Sequence, residues 1–193
     1  MPPSPRVPKR CEWCLSHPIY VEYHDKEWGR PVHNDRKLFE FLILEGAQAG
    51  LSWLTVLKKR ENYRQALDGF DAEKIARYGR PKVKQLLQNG GIIRNRLKIE
   101  SIIDNAKAYL AVKKEFGSFD KYIWQFVGNK PVKNRRKAMK ELPPRTEISD
   151  SMSQELKKRG FRFVGSTICY AFMQAMGLVD DHWVHCFRRR KSK

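Results

Sequence analysis

The chain has 193 residues, 41% of them hydrophobic and 11% aromatic, which suffices for one buried core and excludes a disordered chain. Its 39 Lys and Arg against 21 Asp and Glu leave +18, concentrated as +3 in residues 1–10, +6 in residues 130–145 and +5 in residues 188–193. Clustered positive charge suits a polyanion, nucleic acid first, because phosphate contacts release counterions; apolar runs such as FLIL at Phe41–Leu44 are far too short for a membrane span.

The opening MPPSPRVPKR is a basic, Pro-rich tail without the apolar stretch of a signal peptide, which predicts a cytosolic protein. In a reducing compartment four cysteines point to metal ligation or burial rather than disulfides. RCEWCLSHP holds Cys11 and Cys14 as C-x-x-C, yet no second C-x-x-C follows. The pair reads as half a metal site, a redox pair or two unrelated thiols, and a thioredoxin-like reading lacks its βαβ setting.

Helical periodicity then dominates. Leu38, Phe41, Leu42 and Glu45 follow i, i+3, i+4, i+7 spacing after the capping candidates Asn34 and Asp35, with Gly46 as the expected stop. A carboxylate on an apolar stripe is costly without a partner, and from pattern alone Glu45 reads as a salt-bridged residue near a helix end. Past the GAQAG break, Ser52 caps a helix through Trp53, Val56 and Leu57. A short helix over Asp71–Tyr78 ends at Gly79, and Pro81 opens another that NGG at Asn89 closes. Ile99, Ile102, Ile103, Ala106, Tyr109 and Leu110 mark a longer amphipathic helix; Phe119, Ile123, Trp124 and Val127 mark the next. Residues 128–148 read as a basic, Pro-containing connection with at most a short helix. No run alternates as strands do, so the expected fold class is all-α.

In the last third, SMSQELKKRG at 151–160 is a helix stopped by Gly160, FRFVGS follows, and TICYAFMQAMG runs to Gly177. Helix, glycine-containing hairpin, helix can present unpaired backbone N–H groups to a phosphate. An ordinary helical hairpin with Gly165 in a tight turn is the commoner use of that pattern; Lys157, Lys158, Arg159 and Arg162 beside it favour DNA. DHWVHC follows directly. Its His182 and Cys186, four apart, fit one face of a helical turn and can chelate one ion. The missing ligands are sought among Cys11, Cys14, His17 and His24; His33 and His185 suit less well, and buried thiols and histidines without metal remain the alternative.

RCEWC, YHDKEWG, LEGAQAGLSW, TVLKKRENYR, GIIRNRLKI, LKKRGFRFVGSTICYAFMQAMGLVDDH and the terminal H-x-x-x-C together resemble the 3-methyladenine DNA glycosylase I family over roughly residues 10–187. The resemblance implies a helix-hairpin-helix glycosylase domain over residues 11–187, flanked by basic tails at 1–10 and 188–193. It implies excision of N3-methylated adenine from double-stranded DNA by a monomer, and a structural zinc on Cys11, His24, His182 and Cys186 joining the two ends of the chain. It turns Glu45 into the acid that reads the extruded base, with Trp53 and Tyr23 foremost and Tyr20, Trp13 and Trp28 as further aromatic walls; each of these rings is equally at home in a core.

In bifunctional helix-hairpin-helix glycosylases a catalytic Lys sits where this chain has Thr167, so the expected enzyme leaves an abasic site uncut. The VDDH stretch presents Asp180 where the family commonly has Asn, either stabilising the developing sugar cation or capping a helix into His182. Gln48, Gly50 and Leu51 in the break are expected to enter the DNA, and Arg162, Gly165, Ser166 and Thr167 to grip its backbone. Two other classes compete: a non-catalytic zinc-stabilised helical DNA-binding module, and a basic RNA-associated protein, which explains the charge but not the acid among aromatics.

Overall fold

A computed structural model describes residues 8–189; most of the 1–10 tail and the last four residues of the 188–193 tail lie outside them. At the centre is α2 (Asp35–Gln48), in which Leu38 to Ala47 are all buried. A helix apolar on nearly every face needs neighbours all round, and α2 has them in α3 (Trp53–Ala66), α6 (Arg96–Phe116), α7 (Phe119–Trp124) and α9 (Ser166–Ala175). Before it lie a single 3-10 turn (Glu12–Ser16) and α1 (Pro18–Lys26), packed on each other. The short α4 (Ala72–Ile75) and α5 (Arg80–Gln88) lean on α6, while α8 (Glu147–Lys158) packs on α9 across the connection 159–165. The protein is mostly helical, and no helix of the described residues is long and apolar enough to cross a membrane.

The helix starts follow local chemistry. Asn34, Ser52, Asp71, Asn95, Ser118 and Thr146 each accept a first-turn backbone N–H, supplying the donors' missing partners. Three expectations are corrected. Gly46 is not a stop: α2 continues to Gln48, and the glycine serves close packing, since a Cβ there would lie 3.2 Å from Phe163 Cβ. The helix expected from 151 begins at Glu147, where Thr146 and Ser149 form a reciprocal capping box. His182 and Cys186 are on no helix. Val179–Asp180 forms a two-residue strand, β2, parallel to β1 (Val132–Lys133), and turns carry the chain onward.

A buried ion cluster locks the helices around α2. Arg60 of α3 donates to Glu27, just past α1, at 2.8 and 2.9 Å and to Glu40 of α2 at 2.8 Å; Arg64 also reaches Glu40. Arg60 lies over the Phe41 ring as well, 4.7 Å from its centroid. The walls of the site described next are thereby held in register.

Candidate active site

Glu45 lies three residues from the end of α2, 2% exposed, and its Oε2 has no hydrogen-bond partner. Burial pushes its carboxyl up to about 8 from the ordinary 4.5. Among the described residues Glu45 has no ion pair, so the salt-bridged alternative from sequence is absent; the paired acids of this helix are Glu40, with Arg60, and Asp35, with Lys113. The carboxyl lines a cavity of about 410 Å³, within the range of small-molecule sites.

All five predicted aromatics line that cavity: Trp13, Tyr20, Tyr23, Trp28 and Trp53. Tyr23 and Trp53 have centroids 5.7 Å apart, and Trp13 meets Trp28 edge-on at 5.0 Å. Tyr20 lends its hydroxyl oxygen to Leu54 N at 2.8 Å, joining α1 to the start of α3. Tyr23 is buried beside Glu45, and its phenol is raised well above the usual range, first by burial and then by that carboxyl. Gln48 reaches the cavity too.

Sequence reasoning missed four lining residues: Met139, Leu142, Ala171 and Gln174. Met139 and Leu142 come from the aperiodic basic connection, which offered no signal. Gln174 offered one, as the only amide in the apolar helix TICYAFMQA. Its Nε2 donates to Asp181 Oδ2 at 2.8 Å. A carboxylate only accepts, so the amide oxygen is turned away from it. Asp181 is itself buried and also accepts from Tyr170 at 2.6 Å and from Asn134 at 2.7 Å, fastening the connection to α9.

Cys11, His24 and Cys186 are buried with ligand atoms within 4.8 Å of one another. Cys186 is drawn down, first by a hydrogen bond from Cys11, whose own thiol is pushed up by the same contact. His182 stands beside them, its ring centroid 5.2 Å from that of His24, and its Nε2 is buried without a partner. Each imidazole meets a carboxylate through Nδ1, His24 with Asp25 at 2.8 Å and His182 with Asp180 at 2.9 Å. Cys14 donates to Cys11 O at 3.0 Å, and His17 caps α1 by accepting from Ile19 N; neither joins the cluster.

Asp180 is not among the residues lining the cavity, and among the described residues no helix follows it, which corrects the helix-cap reading. Its Oδ1 instead accepts from His182 N at 3.1 Å and faces that residue's ring.

The expected DNA-facing residues lie on two neighbouring segments. Between α2 and α3, Gly50 turns with φ +76° and Leu51 is 43% exposed. In the other segment Gly165 caps α9 without a side-chain acceptor, and a Cβ built there meets nothing within 4 Å. Ser166 and Thr167 open α9, and Arg162 is paired with Asp104 at 2.7 Å.

A family model described as methyladenine glycosylase matches residues 13–189. The chain is 53% identical over 177 residues to a DNA-3-methyladenine glycosylase of Haemophilus influenzae, covering 92% of this chain and 96% of that one. It is 51% identical over 178 residues to DNA-3-methyladenine glycosylase 1 of Escherichia coli, covering 92% and 95%. A crystal structure of a 3-methyladenine DNA glycosylase I superposes with a TM-score of 0.92 at 51% identity, covering 94% of this chain and all of the other. The Staphylococcus aureus enzyme, in a structure described as the basis of its 3-methyladenine recognition, gives 0.92 at 34% identity, covering 95% and 98%.

Proposed function

The chain belongs to the methyladenine glycosylase family and hydrolyses the N-glycosyl bond of 3-methyladenine in DNA; from that premise we propose that the cavity at Glu45 receives the extruded base and that Glu45 is its acid. The observation that carries this is a buried carboxyl without an ion partner, set among electron-rich rings.

A base in duplex must leave the stack to be reached, at a cost of a few kcal/mol. N3-methylation makes the purine nucleoside cationic, so Glu45 gives up its proton to solvent and pairs with the lesion. Stacking on Trp53 and Tyr23 adds about 2 kcal/mol when desolvated. Neutral adenine can stack too, but gains neither the ion pair nor the cation–π attraction. The same charge makes the purine a good leaving group, so water at the sugar carbon needs placement more than a strong acid. The amide oxygen of Gln174 offers the base a second acceptor. Thr167 forms no Schiff base, and the strand is left uncut at the abasic site.

Residues 147–175 act as the helix-hairpin-helix unit, a DNA phosphate meeting the uncapped start of α9. Gln48 and Leu51 fill the space the nucleotide leaves. Cys11, His24, His182 and Cys186 would hold a structural zinc: two thiols and two imidazoles are the donor types such sites use, the first, second and fourth are clustered with the His182 ring beside them, both imidazoles are oriented by carboxylates, and His182 Nε2 is otherwise an orphan. Bound there, zinc would tie the N-terminal segment to residues 182–186 and contribute its binding free energy to folding. The partner is duplex DNA with alkylated bases, met by one copy of the chain in the cytoplasm.

The test is to incubate the protein with methylated duplex DNA and identify the purine released. Free 3-methyladenine from the parent chain, reduced roughly 100-fold or more in Glu45→Gln, is the expected result. Release by Glu45→Gln at the parent rate removes Glu45 from the chemistry.

A further inference from the structure

The cavity alone does not account for drawing a base out of a duplex; the two segments beside it must meet the DNA at a set separation. Both are held by one face of α6. The last carbonyls of any helix lack intrahelical donors, and at the end of α2 Lys98 supplies them, its Nζ donating to Ala47 O at 2.9 Å and to Ala49 O at 2.6 Å. Two turns further along α6, Asn105 donates to Arg162 O at 3.0 Å and accepts from Arg162 N at 2.7 Å. Residues seven apart share a helix face. Lys98, Asn105, Gly46, Ala47 and Phe163 all line one small internal gap, so turn and hairpin adjoin there.

An ammonium buried in this way is costly, and packing does not require it, since the neighbouring Ile99 and Ile102 bury apolar side chains at the same interface. What the cation does is grip the carbonyls on either side of Gln48, the second of them one residue before Gly50. The negative end of the α2 dipole favours it there. Beyond that grip the turn is open: Gly50 has φ +76°, a Cβ at that position would meet nothing within 4 Å, and Leu51 projects outward.

We infer that Lys98 is a positioning residue for base extrusion, fixing the Ala49–Leu51 turn at the height from which Leu51 and Gln48 enter the duplex. Asn105 on the same face fixes the hairpin, and α6 sets the spacing between the two DNA contacts. This rests on the glycosylase reading above and adds how the DNA is opened.

The experiment compares the parent chain, Lys98→Met, Leu51→Ala and the double variant in two assays. One is quenching of tryptophan fluorescence by free 3-methyladenine, which reads the cavity; the other is release of 3-methyladenine from methylated duplex. Lys98→Met is expected to keep free-base affinity within about twofold and to lose roughly 100-fold in release, the scale of a 1 Å misplacement. The double variant is expected to lose less than the product of the two single losses, because the lysine acts in part through Leu51. Lys98→Gln, which keeps one donor, gives an intermediate loss and replaces Lys98→Met should that variant not fold. Parent-level release, an equal loss of free-base binding, or full additivity with Leu51→Ala each overturns the inference. A parent chain that neither binds nor releases 3-methyladenine overturns the glycosylase reading itself, before any variant is compared.

Discussion

Replacing Glu45 by glutamine is expected to make the protein more stable and inactive, and the stability gain should depend on pH in a defined way. Burial lifts the Glu45 carboxyl from 4.5 to about 8. Between those values the folded chain keeps a proton that the unfolded chain has released, so stability falls as pH rises through the window. At about 1.4 kcal/mol per pH unit, the loss is about 3 kcal/mol by pH 7 and about 5 kcal/mol beyond pH 8. Glutamine has no proton to release. Glu45→Gln should therefore exceed the parent by under about 1 kcal/mol at pH 5, about 3 kcal/mol at pH 7 and about 5 kcal/mol at pH 8.5. At the sensitivity usual for a chain of this size, the pH 7 gain raises Tm by roughly 6 to 12 °C. Thermal unfolding of both chains at the three pH values measures it. A Tm difference that stays flat with pH refutes the reasoning, because it means Glu45 has no raised pKa for folding to oppose.

Three further outcomes follow from the geometry. Cys11→Ser should lose bound metal and Tm while Cys14→Ser keeps both, since the Cys14 thiol is spent on Cys11 O; metal content and thermal melts of the two variants decide it. Asp180→Asn should weaken metal affinity roughly 10- to 100-fold through His182 and leave base release from metal-saturated protein unchanged, read by competition with a chelator alongside the release assay. Gly177→Ala should lower stability by about 3 kcal/mol or more, because the residue has φ +70° and its Cβ would lie 2.2 Å from Arg30 C; denaturant unfolding gives the value.

The helical class, most helix starts and the long apolar stripe of α2 are legible in the sequence because capping residues and 3.6-residue periodicity act over a few positions. So are the aromatics and the acid, once the motifs are set beside a known family. The acid's environment is not. Glu40 and Glu45 occupy the same helix, and only packing shows that Arg60 and Arg64 reach the first while the second has no cation. Spacing also misleads at His182 and Cys186. Four residues apart suggests a helical turn, but β2 ends at Asp180 and a non-helical turn closed by Cys186 N to Trp183 O brings Cys186 to Cys11 and His24, with the His182 ring beside His24.

The sequence by itself determined the identity of the chemical groups and the local rules that start and stop helices, since both are properties of short segments. Tertiary structure alone decided that Met139, Leu142 and Gln174 complete the cavity, that Asp180 serves His182, and that Lys98 reaches across to the end of α2. These are contacts between residues far apart in the chain. Their energies depend on burial and distance, which no periodicity within one segment records.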